Sequence, residues 1–149
     1  MQWDELTEKD RECLLLQHVM GCFILEETAK GWNTPEFGRG TSVPAGFHWP
    51  IAFWNTDCEC WAMRDIASDP SFFDPLHDLN DAWLLVEKMK ESDTEPGWEG
   101  HHTKFSTFCS HLEEMLWDTP TGPLFYVLWN LTPEAICKAA LKTSGIEIS

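Results

Sequence analysis

The period of the hydrophobic pattern changes along this chain, and that change limits the fold more than any other feature. Residues 78–90 carry Leu79, Ala82, Trp83, Val86 and Met89 at helical spacing, with Leu84 and Leu85 widening the stripe. Residues 47–54 alternate instead, with Phe47, Trp49, Ile51 and Phe53 set against His48, Pro50, Ala52 and Trp54. Alternation at period two is the mark of a strand, and Pro50 places it at an edge or a bulge. A striped helix and a strand bury their apolar surfaces on one another. The chain has 149 residues, enough for one core, so the expectation is a single α/β domain over 1–149.

Other segments fill in this plan. Residues 6–21 predict a helix with Thr7 as N-cap, Asp10 in the first turn and Gly21 as the stop. Cys13, Leu16 and Met20 share one stripe there, with Leu15 and Val19 beside it and His18 at the core or its boundary. Residues 31–46 hold four Gly and two Pro and read as loop. Asn55, Thr56 and Asp57 are turn residues, and 58–64 reads as a returning strand, which makes a hairpin. Residues 68–75 and 91–100 read as loops. Asp78 or Asn80 caps the 78–90 helix, and 104–117 predicts another helix through Phe105, Phe108, Cys109, Leu112, Met115 and Leu116. Residues 124–129 form a continuous apolar run, as in a strand buried on both faces. Thr132 caps a last helix with Pro133 at its first position, Ala135, Ile136, Ala139 and Ala140 on its inner face, and Gly145 as its stop.

Three stretches resemble a known family. Phe73, Asp74 and Pro75 lead into Asp78-Leu79-Asn80-Asp81-Ala82-Trp83 and then Val86-Glu87-Lys88-Met89. Residues 132–142 read Thr-Pro-Glu-Ala-Ile-Cys-Lys-Ala-Ala-Leu-Lys, and Val19-Met20-Gly21 follows the first helix. Together these look like the phage ABA sandwich domain, a family of small phage and prophage proteins, most without an assigned function. The resemblance implies an α-β-α layered sandwich, with one sheet covered by helices. It implies no catalytic residue. The insert over 30–46 and the helix over 104–117 depart from the family pattern.

Charge narrows the functional classes. The 25 acidic and 10 basic residues leave a net charge of −15. Direct nucleic-acid binding needs Lys and Arg to neutralise phosphates, so this composition argues against it. It favours solubility and suits a basic partner. No apolar run reaches the ~20 residues of a membrane span, and residues 1–10 are polar and acidic, unlike a signal peptide. The expected location is the host cytoplasm, where the six cysteines need not pair.

No motif marks an enzyme, and no cofactor is expected. Gly38-Arg39-Gly40-Thr41-Ser42 lacks the spacing and lysine of a phosphate loop, yet an arginine beside hydroxyls suits a single phosphate. Nine Trp and nine Phe provide core or stacking surface. The candidate ligand-binding residues are Arg39, Arg64, His48, Trp49, Trp54 and Trp61. If Trp49 faces the core with Phe47 and Ile51, Trp54 faces the other way with His48. Whether a helix covers that second side decides the role of Trp54.

Cys58 and Cys60, with Cys109 and His111, form a weak metal motif, because zinc pairs are usually spaced by two to four residues. His101 and His102 sit in a polar loop. Asp74, Asp78 and Asp81 do not follow the calcium-loop pattern. Cys137 reads as a packed thiol. The leading expectation is a non-enzymatic phage counter-defence protein that sequesters a small nucleotide-type ligand in an aromatic pocket, as a homo-oligomer in which pockets form between subunits. The alternatives are an acidic inhibitor that docks on a basic host protein, and a metal-dependent hydrolase.

Overall fold

Thr7 starts the first long helix: its Oγ1 accepts a 3.1 Å hydrogen bond from the Asp10 amide and donates to Asp10 Oδ2 at 2.6 Å. This pair satisfies one of the amides that a helix start leaves open. The computed structural model describes residues 1–26, 28, 45–66, 68–92, 104–116 and 131–149. A 3-10 turn, Trp3–Glu5, precedes helix α1, Glu8–His18. The amides of Val19 and Met20 both return to the Leu15 carbonyl. Gly21, at φ +70°, then turns the chain into strand β1, Phe23–Ile24.

Strands β2, Ile51–Asn55, and β3, Cys60–Arg64, form the expected hairpin. Buried Asn55 holds its turn, with Oδ1 accepting from the Asp57 amide at 3.0 Å and the Cys58 amide at 3.4 Å. β2 is shorter than the alternation predicted: residues 47–50 lie outside it. The expected loop over 68–75 contains a third antiparallel strand, β4, Ser71–Phe73. Its three residues are too few to show a period. Helices α2, Leu79–Ser92, α3, Lys104–Leu116, and α4, Pro133–Thr143, complete the described elements. The strand expected over 124–129 lies outside the described residues, as does most of the 30–46 insert.

The sheet runs β1-β2-β3-β4, with β1 parallel to β2 and the other pairs antiparallel. The result is one α/β domain in which, among the described residues, a mixed four-stranded sheet packs against four helices. Register divides its side chains. Ile24, Ala52, Trp54, Trp61, Met63 and Phe73 join the helices in the main core. Ile51, Phe53 and Ala62 lie on the opposite face with Leu25, and Phe23, Phe47 and Trp49 pack against them.

Helix α2 is less buried than its stripe implied. Ala82, Leu85, Val86 and Met89 are inside, but Leu79, Trp83 and Leu84 are exposed. The residues satisfy a helical period, but period alone does not set the width of the covered arc. Asp78 does cap the helix, accepting from the Asn80 amide at 2.8 Å. In α4, Thr132 Oγ1 accepts from the Ala135 amide at 3.1 Å, and Ala135, Ile136, Ala139 and Ala140 are all buried as expected. His18 is exposed rather than at the core boundary, since it points away from the Leu15–Leu16 side.

Candidate functional site

Helix α1 places Glu8 and Glu12 one turn apart on the same side. The indole Nε1 of Trp61 on β3 donates a 3.0 Å hydrogen bond to the Lys9 carbonyl, which ties this stretch of α1 to the sheet. Opposite stands the turn after β4. The Asp74 carbonyl accepts from the amides of His77 and Asp78, and the Asp74 amide donates to Asp81 Oδ2 at 2.9 Å. The backbone of this turn is therefore held, and it presents Asp74 and His77 to α1.

Three side chains converge. One ligand atom each from Glu12, Asp74 and His77 lies within 4.8 Å of the others. His77 Nδ1 is 2.9 Å from Asp74 Oδ1, and its Nε2 is 3.2 Å from Glu8 Oε1. Glu12 is only 6% exposed. Burial pushes its carboxyl up to about 8, reinforced by a hydrogen bond with Asp74 and by the charges of Asp74, Glu8 and Asp81. The neutral form thus predominates near pH 7. His77 is shifted upward, first by its hydrogen bond to Asp74 and then by the Asp74 and Glu8 charges. Asp81 is raised by burial.

Glu8, Glu12, Asp74 and His77 border a cleft of about 210 Å³ that Lys9, Trp54 and the Cys58–Cys60 turn also line. The Lys9 ammonium sits 4.5 Å from the Trp54 ring centre. Cys58 and Cys60 are joined as a disulfide, so the expectation of unpaired cysteines fails at this pair. In this state the two sulfurs are bonded to each other and do not act as thiolate ligands. Cys109 and His111 lie on α3. Buried Cys137 is a packed thiol as expected: it donates to the Pro75 carbonyl at 3.3 Å, and burial pushes its titration up.

The six proposed ligand residues do not form one pocket. Trp54 and Trp61 contact each other edge-on, with ring centres 5.4 Å apart, on the face that α1 covers. Trp61 is buried, whereas Trp54 is half-buried and reaches the cleft. Trp49 lies on the other face, packed against Phe47, with the Arg64 guanidinium 5.9 Å from its ring centre. His48 is exposed and bridges the Gly46 and Gly21 carbonyls. Arg39, and His101 with His102, lie outside the described residues. Arg64 lines a second cleft of about 320 Å³ with Lys88, Asp65, Asp69, Glu87 and Glu91.

The sequence reading missed Glu12 and His77 and considered Asp74 only beside Asp78 and Asp81. A signal for Glu12 was present, because it precedes Leu15, Leu16 and Val19 at helical spacing and so shares their buried side. Nothing local pointed to His77, whose partners come from a distant helix. No helix among the described residues is long and apolar enough to cross a membrane. Comparison with protein-family models, with curated proteins and with solved structures gives no match, so the phage ABA sandwich resemblance rests on the quoted residues alone.

Proposed function

We propose that this is a non-enzymatic binding protein that holds a small nucleotide-type anion through a divalent cation in the cleft beside α1. The convergence of Glu12, Asp74 and His77 carries this reading. Two carboxylates and an imidazole are a ligand set that suits zinc or manganese. Three protein ligands leave coordination positions open for an oxygen of the bound molecule. Such an ion would replace the proton that burial keeps on the Glu12 carboxyl.

The charge balance favours this arrangement. With a net charge of −15, the protein repels phosphate unless cations are concentrated locally. The cleft carries Lys9 and His77 against Glu8, Glu12, Glu59 and Asp74. A divalent ion would offset most of that negative charge and concentrate two positive charges at the ligand point. Lys9 would then reach a phosphate oxygen, and Trp54 would supply an aromatic wall for a base. The phage counter-defence setting comes from the family resemblance alone and belongs to the proposal on that basis.

The test is calorimetry on chelator-treated protein, first with Mn2+ or Zn2+ alone and then with a panel of cyclic and linear nucleotides. Metal should bind first, and a nucleotide should bind only to the metal-loaded protein. Glu12→Gln and His77→Ala should abolish both steps. Absence of metal binding, or nucleotide binding that ignores metal, overturns the proposal. Loss of the nucleotide with formation of a hydrolysed product would make the protein a metal-dependent hydrolase instead.

A further inference from the structure

We infer that the second cleft, between the β3–β4 connection and α2, is a docking pocket for a lysine or arginine side chain on a basic segment of a protein partner. Its apolar lining is buried Cys22 and half-buried Met20, Pro50 and Met63, with exposed Leu84 beside them. Its rim carries four carboxylates, Asp65, Asp69, Glu87 and Glu91, against Arg64 and Lys88. Both cations are already engaged. Lys88 Nζ lies 3.5 Å from Glu91 Oε2, and Arg64 Nε donates to the Ser68 carbonyl at 3.0 Å. Asp69 and Glu87 are exposed.

An apolar lining beside an acidic rim matches one kind of side chain. Lysine and arginine bury a methylene stem along apolar surface and keep the charged head among polar groups. A phosphate would meet four carboxylates against two cations, Arg64 and Lys88, and so a net negative field. The occupant is placed on a protein because the apolar surface continues past the cleft. Helical spacing sets Leu79 and Trp83 on the same exposed arc of α2 as Leu84 and Glu87, and they are 52% and 47% exposed. An exposed aromatic anchor beside a charged pocket is the usual make-up of a protein interface. The chain's charge of −15 would steer a basic partner toward it. This cleft shares no residue with the proposed metal site.

The experiment is fluorescence anisotropy with a labelled nonapeptide of alternating lysine or arginine and leucine, using an acidic peptide and spermidine as competitors. The basic peptide should bind, and binding should weaken as salt rises. Asp69→Asn with Glu87→Gln should weaken it by about tenfold or more, equivalent to ~1.4 kcal/mol. Trp83→Ala should weaken it as well, and His77→Ala should leave it unchanged. Circular dichroism checks that each variant folds. No binding at low salt, or equal binding by the double variant, overturns the inference. Full competition by spermidine at the peptide's own affinity would mark a small-amine site and overturn the protein partner.

Discussion

A carboxylate oxygen of Glu12 on α1 lies within 4.8 Å of one of Asp74 after β4, and His77 brings a ring nitrogen to the same point from the next turn. A buried carboxyl beside a second carboxylate holds its proton to higher pH. That single relationship links the packing of α1 against the sheet to the chemistry proposed for the cleft.

It also sets a pH dependence. The Glu12 carboxyl moves from 4.5 to about 8 on folding. Between those values the folded chain holds a proton that the unfolded chain has released, so stability falls as pH rises. The Glu12 contribution is complete below pH 4.5 and is lost as pH passes about 8. Glu12→Gln keeps the shape and removes the titration. Urea unfolding at several pH values should show a flatter profile in the variant, with its largest gain over wild type at the alkaline end. Parallel profiles would contradict the assignment.

His77→Ala should separate metal binding from folding. The ring is more than half exposed, and its two carboxylate contacts are surface pairs, worth about 0–1 kcal/mol in general. The melting temperature of the metal-free variant should stay close to wild type. The rise in melting temperature on adding Zn2+ should disappear. Scanning fluorimetry with and without metal reads both.

Trp61→Phe should loosen α1 from the sheet. The ring volume mostly remains, but the indole N–H that donates to the Lys9 carbonyl goes. Losing such a bond costs about 1 kcal/mol, with up to ~2 more if the carbonyl is left without a partner. Hydrogen exchange in α1 should accelerate, and metal affinity should fall because Glu12 shifts with its helix. Unchanged exchange would show that packing alone holds α1 in place.

Ile136→Ala and Thr132→Ala probe two contributions to α4. Ile136 is fully buried in the main core, so truncation should cost about 2–5 kcal/mol. Thr132 supplies the cap bond to the Ala135 amide, and its loss should cost about 1 kcal/mol. Chemical denaturation of the two variants should therefore rank them clearly, with the cap variant the milder.

Elements with local causes were legible in the chain. Caps at Thr7, Asp78 and Thr132 depend on a few neighbouring atoms, and so does the Asn55 turn. Period separates helix from strand for the same reason. β4 was hidden because it becomes a strand only by pairing with β3. Trp83 was misplaced because periodicity locates a stripe without saying how far the neighbouring helix covers it.

By itself, the order of residues determined the α/β class, the helix starts at Thr7, Asp78 and Thr132, and the acidic character of the chain. Tertiary structure alone decided that Glu12 meets Asp74 and His77, and that Trp54 and Trp49 lie on opposite faces of the sheet. Capping and period act over a single turn of chain. A side-chain cluster built from α1 and the segment after β4 exists only once packing has removed the distance between them.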